Sequence, residues 1–403
     1  MNCCDAPIQF LLNHMRDIPK VALLVETSRG IGRELLRGIA RYSSLNGPWC
    51  FHISPGDFKQ AVPQIRQWGG TGIIARIPDE NSAKAILKAG VPTIALGLKD
   101  EQLLANNPLS KLSEISSNAM DVAKLAAEHL LECGLENFAY VGSEDRGWAR
   151  RREVAFYNIL AARGYQPFIY RQPHGAAGRT WEQEQVFMAD WIGALPSPIG
   201  IFACDDDRGR EVLEACVLAG RRVPDEVAVV GVDNDEVFCE LSDPSLSSIS
   251  LNAFGAGFRA AELLDGLMKK KVRKPRRILI EATGVVCRRS TDTVAIDDAQ
   301  LVTAIQFIRR TNGKTISVDH VVREAALSRR ALEKRFRESL GRSVHEEIQL
   351  ARLKSAKRLL IETEYPISKC AKIAGFKTTG YFIQFFVKWV GKTPRRYRYE
   401  MAS

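Results

Sequence analysis

The sequence predicts a two-lobed α/β domain over residues 20–286, followed by an all-α domain with two helix-turn-helix units over residues 300–403. Three observations predict it. Apolar strands alternate with amphipathic helices through two successive series. Near the C-terminus a short helix, a turn and a longer helix occur twice. The charge also divides: residues 299–403 hold 22 Lys and Arg against 9 Asp and Glu, a net of +13, while residues 1–298 carry a net of −3. A cationic block ordered by an apolar pattern is the electrostatic footprint of a module that binds the phosphates of a DNA duplex.

At 403 residues the chain exceeds one ordinary core, and two or three domains are expected. With 45% apolar and 26% charged residues it reads as a folded, water-facing protein. No apolar run reaches the ~18 residues of a membrane span. The first 19 residues read as an N-terminal extension, without the basic start and cleavage site of a secretion signal. The nine cysteines are scattered, with no pair at the spacing of a zinc knuckle. No metal or cofactor is expected, and reduced, buried thiols in the cytoplasm fit the pattern.

The elements follow in order. Val21–Val25 reads as a strand and Gly32–Tyr42 as a helix. Gly72–Ala75 and Thr93–Leu96 are strands around a helix over Ser82–Ala89. A second series places a helix over Asn118–Cys133, a strand over Phe138–Val141 and a helix over Arg150–Arg163. The strand Gly200–Ala203, the helix Arg208–Ala219 and the strand Val227–Val230 complete it. Such alternation implies parallel sheets with both faces covered and ligands beyond the carboxyl ends of the strands. Residues 287–299 read as a linker. No fixed-period repeat is evident.

Val25-Glu-Thr-Ser-Arg-Gly-Ile-Gly32 is similar to the start of a short-chain dehydrogenase. Glu26 stands where that family needs its first glycine, and a carboxylate there would repel a pyrophosphate. The family's catalytic Tyr and Lys, four residues apart, are read as missing. An NAD(P)-dependent oxidoreductase is therefore a remote alternative. The glycines either pack a helix close to a strand, or the turn presents Ser28 and Arg29 to a ligand.

In the basic segment, Val318–Ala325 is a short helix and Ala326-Leu327 a turn, with Ser328 placed to cap the helix Arg329–Leu340. Leu332, Phe336 and Leu340 recur every four residues and would face the core. Arg330, Glu333, Lys334 and Arg337 point elsewhere, as a recognition helix requires. Arg329 and Arg335 suit phosphate contacts or solvent. Val344–Ile361 forms a long connecting helix. Ile367–Ala374, the turn Gly375-Phe376 and a helix over Thr378–Val390 repeat the arrangement, with Lys377 and Thr378 at its head.

Ser328-Arg-Arg-x-Leu-Glu-x-x-Phe336 with Gly341 resembles the AraC-type DNA-binding domain. So do Ile373-Ala-Gly-Phe376, Tyr381-Phe382, Phe386 and Gly391-x-Thr-Pro-x-x-Tyr-Arg398. The resemblance implies base-facing positions at Arg330, Glu333 and Lys334, then at Thr379, Gly380 and Gln384. Gly380 has no side chain to read a base, so the second unit reads less sequence or leans on its backbone.

The α/β part resembles the sugar-binding domain of LacI-type repressors and periplasmic binding proteins. Joined to an AraC-type reader, it is similar to the XylR-type transcriptional regulators almost end to end. Trp148-Ala149, Arg152-Glu-x-Ala-Phe156, Ala189-Asp-Trp191, Val230-Gly-x-Asp-Asn234 and Arg288-Arg-Ser-Thr-Asp292 carry the match. The resemblance implies polyol ligands at Arg152, Asp205, Asp206 and Asp233, with Trp181 as stacking ring. Carboxylates accept from hydroxyls and a guanidinium donates to them. Other roles stay open: a capping turn for Asp233-Asn-Asp235, a surface charge for Arg152, core packing for Trp181. Arg76 stands where an acid is expected, so a sugar acid or another anion would suit Arg29 and Arg76.

The expected function is a DNA-binding transcription regulator, an activator, gated by xylose or a related sugar or sugar acid. Expected partners are an operator with two half-sites, a second copy of the chain and RNA polymerase. The alternative keeps the reader and makes the sensor a ligand-free dimerisation domain.

Overall fold

A computed structural model describes residues 18–53, 65–144, 146–172, 180–272, 274–292, 298–311, 316–363 and 365–402. Most of the expected N-terminal extension and residues 293–297 of the expected linker lie outside them. The chain forms two compact units. One comprises the chain up to Asp121, with Ser143–Arg152 and Leu251–Ala282. The other comprises Val122–Gly142, Glu153–Ser250 and Thr283–Ser403.

The chain opens with β1 (Lys20–Leu24), α1 (Gly30–Asn46), β2 (Cys50–Ile53), α2 (Ile65–Trp68) and β3 (Gly72–Arg76). It continues with α3 (Glu80–Ala89), β4 (Thr93–Leu96), β5 (Ser113–Ser117), α4 (Ala119–Glu132), β6 (Phe138–Val141) and α5 (Gly147–Ala161). Then come β7 (Phe168–Ile169), α6 (Trp181–Gly193), β8 (Ile199–Ala203), α7 (Asp206–Leu218) and β9 (Val227–Asp233). The α/β part closes with α8 (Glu236–Leu241), β10 (Ser247–Leu251), α9 (Ala253–Met268), β11 (Arg277–Ile280) and β12 (Ala282–Val286).

In the first unit six strands run in the order β11-β5-β4-β3-β1-β2, with parallel pairing throughout. Alternate residues supply the two faces. Leu23, Ile74, Ile94 and Ile115 bury one side; Ala22, Leu24, Ile73 and Ala75 bury the other. Two glycines let α1 and α9 touch backbone to backbone. A Cβ on Gly38 would lie 2.0 Å from the Phe254 carbonyl oxygen, and one on Gly257 would lie 2.1 Å from that of Leu35.

In the second unit the order is β12-β10-β9-β8-β6-β7. Tyr140, Phe156 and Phe202 stack in its interior. The residues after β12 are not a loose tether. Ser290 and Thr291 are buried in a 3-10 turn. Ser290 Oγ donates to the Val229 carbonyl at 2.6 Å, and Thr291 Oγ1 lies 2.7 Å from Ser247 Oγ and 2.8 Å from His129 Nε2. The expected linker therefore begins later: these three hydroxyl and imidazole contacts pin residues up to Thr291 to the α/β fold.

The all-α part comprises α10 (Ala299–Arg310), α11 (Val318–Glu324), α12 (Arg329–Leu340), α13 (Val344–Glu362), α14 (Ile367–Ile373), α15 (Thr379–Val390) and α16 (Pro394–Ala402). It holds two small cores. Leu301, Ile305, Val321, Leu332, Phe336, Val344 and Ile348 form one. Leu360, Cys370, Phe376, Phe382, Phe386 and Tyr397 form the other. The long helix α13 enters both, so it fixes one helix-turn-helix relative to the next. The two are also a repeat that inspection of the sequence misses. Ser328 and Thr378, Leu332 and Phe382, Phe336 and Phe386, and Gly341 and Gly391 match at a constant offset of 50 residues.

Candidate ligand site and nucleic-acid interface

Parallel α/β sheets bind at the point where strand order reverses, beyond the carboxyl ends. In the first unit that point lies between β1 and β3. Glu26 follows β1 and Arg76 ends β3. Glu26 is 1% exposed, and its carboxylate accepts from Arg76 Nε in a buried ion pair. Arg76 Nη1 also reaches the Leu96 carbonyl at 3.4 Å. Gly97, at φ 61°, makes room: a Cβ there would meet Arg76 Nη1 at 2.9 Å and Trp148 Cδ1 at 3.9 Å. Arg152 is buried, donates to Ser117 Oγ at 3.3 Å and lies 4.9 Å from the centroid of the Trp148 ring.

The sequence reading is corrected here in two ways. The guanidinium of Arg76 is matched by Glu26, so it no longer argues for an anionic ligand. The aromatic ring beside Arg152 is Trp148, which the sequence motif contains without a role assigned to it. Trp181 begins α6 in the other unit and is 51% exposed. Ser28 and Arg29 occupy the β1–α1 turn; Ser28 is exposed and its carbonyl accepts from Arg33 Nη1 at 2.8 Å. Gly32 is explained by packing, because a Cβ on it would lie 1.8 Å from the Glu26 carbonyl oxygen. The Tyr–Lys spacing read as missing does occur once, at Tyr365 and Lys369. It lies at the start of α14 in the all-α part, with the ammonium 3.6 Å from the ring centroid.

In the second unit the equivalent position follows β8. Asp205 caps α7, accepting from Arg208 N at 2.8 Å. Asp206 is 3% exposed, and both its oxygens are used inside the fold: Oδ1 by Ser248 Oγ at 2.5 Å, Oδ2 by Asp235 N at 2.8 Å. This corrects its expected role. Asp206 does not present a carboxylate outward; it holds the loop after β9. In that loop Asp233 (φ 104°) and Asn234 (φ 51°) both take left-handed backbone conformations, and Asn234 N donates to Ser248 Oγ at 3.0 Å. Such strain in non-glycine residues persists only when neighbours impose it, and it gathers at ligand sites. The loop presents Asp233 at the strand end. Burial, then the adjacent Asp233 charge, raise the Asp206 pKa well above the ordinary carboxyl range.

In the all-α part Ser328 Oγ accepts from Ala331 N at 3.2 Å, as expected, and Gly341 ends α12 in the left-handed conformation. Arg330, Lys334 and Arg337 form an exposed stripe; Arg329 is exposed beside Asp319 at 3.5 Å. Glu333 is half-buried and accepts from Val344 N at 3.4 Å, so it also braces α13. Arg335 binds both oxygens of Asp298, at 2.9 Å each, and ties α12 to the start of α10 while staying partly exposed. In the second unit Thr378 Oγ1 accepts from Tyr381 N at 3.3 Å. Lys377, Thr378, Gly380 and Gln384 are exposed, and Thr379 is half-buried.

Comparison with known proteins follows this layout. Residues 20–107 match the XylR N-terminal domain, residues 127–291 a periplasmic binding protein-like domain, and residues 321–400 a helix-turn-helix domain. The xylose operon regulatory protein of Escherichia coli K12 is 32% identical over 383 residues, covering 94% of this chain and 96% of that protein. This chain belongs to the xylose operon regulatory protein family. The Haemophilus influenzae member is 30% identical, with 94% and 98% covered. A solved structure of the xylose-binding transcription activator XylR matches 95% of this chain and 98% of that one at TM-score 0.60 and 31% identity. The lac repressor bound to operator, at 19% identity and TM-score 0.55, shares the fold. As a family member the chain is a sugar-gated, DNA-binding transcription regulator. Among the described residues no helix is long and apolar enough to cross a membrane, and no cluster of His, Cys, Asp and Glu could hold a metal ion.

Proposed function

We infer that the effector is D-xylose or a close neutral polyol, and that this regulator activates transcription when the sugar is bound. The observation that carries the reading is the Glu26–Arg76 ion pair. It cancels the charge that would have favoured a sugar acid. In the first unit the buried Arg152 guanidinium beside the Trp148 ring offers a donor fork and an apolar face, and in the second the left-handed turn at Asp233 offers an acceptor, groups of the kind a pentose needs. Xylose operon regulators as relatives support the same choice.

Titration calorimetry with D-xylose and D-xylonate tests this. Xylose should bind more tightly, and Asp233→Asn or Arg152→Ala should each weaken it at least about tenfold, the loss of one charge-assisted hydrogen bond. Tighter binding of xylonate would overturn the reading.

The DNA contacts proposed are Arg330, Lys334 and Arg337 on α12, and Lys377, Thr378, Thr379 and Gln384 around α15. Arg329 serves as a backbone contact. Arg330→Ala should cost about 1–3 kcal/mol at its base pair. The working form is a homodimer in the cytoplasm on two half-sites, with RNA polymerase as the further contact. Sugar and operator then tighten each other's binding by one common factor.

A further inference from the structure

The second recognition helix carries a different reading surface from the first. At the 50-residue offset, Arg330, Glu333, Lys334 and Arg337 of α12 become Gly380, Ile383, Gln384 and Val387 of α15. All charge is lost from these four positions, but their placement is kept. Thr378 caps α15 as Ser328 caps α12; Phe382 and Phe386 are fully buried as Leu332 and Phe336 are. Gly391 closes the helix at φ 75°, Gly341 at φ 64°. Ile383 and Val387 are therefore not core residues of a displaced helix. They are 37% and 38% exposed, at the places that Glu333 and Arg337 take on the charged face of α12.

The helix has a separate aromatic flank, where Tyr381, Phe385 and Trp389 stack against one another and Tyr381 and Phe385 against Phe376. Ile383 and Val387 lie off that flank, one helical turn apart. Gly380, one turn before Ile383, has no heavy atom within 4 Å of where a Cβ would be. Lys377 and Lys388 stand exposed at either end. An apolar strip bracketed by lysines, in a domain of net +13, suits the floor of a DNA major groove between two phosphate rails.

We propose that α15 reads thymine: Ile383 and Val387 pack on thymine C5-methyl groups, Gly380 lets the helix approach the base edges, and Gln384 pairs with an adenine. Apolar side chains discriminate in the major groove through the thymine methyl, and Gln pairs with adenine N6 and N7. The second half of each site is accordingly A·T-rich and read by shape and methyl contact, while the first half is read by charged hydrogen bonds. This rests on the reading of α12 and α15 as the two DNA-reading helices.

The test selects a binding site from random duplex DNA with the full-length protein and xylose. Each thymine is then replaced in turn by deoxyuridine, which removes the methyl alone, and affinity is read by fluorescence anisotropy at two salt concentrations. At one or two thymines the swap should weaken binding about fourfold, the transfer value of one buried methyl group, equally at both salts. Ile383→Ala or Val387→Ala should abolish that sensitivity, while Arg330→Ala should leave it intact. Deoxyuridine swaps that are neutral throughout, or sensitivity unchanged in both alanine variants, would overturn the proposal while leaving DNA binding standing. An Ile383→Ala protein with normal DNA affinity but no activation of RNA polymerase would also overturn it, making the strip a protein contact. Failure to select any DNA would sink the underlying reading instead.

Discussion

Removing Arg76 should unfold the first α/β unit at a markedly lower temperature. Arg76→Ala leaves the Glu26 carboxylate, 2% exposed in its side chain, without its guanidinium. Breaking a buried ion pair from one side costs about 3–5 kcal/mol, because the remaining charge stays desolvated. The Arg76 side chain is 17% exposed, so water can reach part of the vacated space, and the lower end applies. About 3 kcal/mol at about 2–4 °C per kcal/mol, for a domain of this size, gives a drop of about 6–12 °C. The double variant Glu26→Gln, Arg76→Met removes both charges and should recover to within about 1 kcal/mol of the parent. Circular dichroism melts and urea titrations of the sugar-free protein measure both. A loss below about 1 kcal/mol for Arg76→Ala, or a double variant less stable than the single one, would refute a buried pair whose partners need each other.

Gly32→Ala drives a Cβ into the Glu26 carbonyl oxygen, so it should cost about 3 kcal/mol in a urea titration, whereas Gly380→Ala meets open space and should raise stability by up to about 1 kcal/mol. Asp206 keeps its proton in the folded state to well above the ordinary carboxyl pKa, so the folded protein binds more protons than the unfolded one as pH rises from 3.8. Its contribution to stability therefore falls across that window, and Asp206→Asn should flatten the fall in urea midpoints measured from pH 4 upward. Burial raises the Cys287 thiol, but His129, with Nδ1 3.8 Å from the sulfur, and Lys354 of α13 outweigh it and bring the pKa down to about 6. Iodoacetamide labelling of Cys287 should then follow a titration near pH 6, and Lys354→Met should move that midpoint upward.

Where one chain segment carries its own signal, the fold was legible. The strands around Val21, Gly72, Thr93, Phe138, Gly200 and Val227 were found because buried parallel strands are short apolar runs. Ser328 and Gly341 marked α12 because caps are local. The edge strand β2, with Cys50 exposed, has no such run. The 3-10 turn at Arg289–Thr291 looked like linker because its partners, Ser247, Val229 and His129, are remote in the chain. The 50-residue repeat was missed because only caps and core positions repeat, while the exposed positions differ.

The ligand site was legible as a set of residue types but not as an arrangement. Arg152 and Asp233 were singled out by residue type; Arg152 donates to Ser117 at the end of β5, and Asp233 ends β9. Asp206 has the same composition signal as Asp233 and points inward, because Ser248 and the Asp235 amide draw its two oxygens into the fold. The sequence by itself determined the two-part architecture, the basic reader with its two capped recognition helices, and the class of partner. Periodicity, capping and net charge act through neighbouring residues or simple sums, and can be read along a line. Only the tertiary structure decided that Arg76 is neutralised by Glu26 and that Arg335 ties helices together. These ion pairs join side chains 50 and 37 residues apart in the chain, and Coulomb energy and desolvation depend on separation in space.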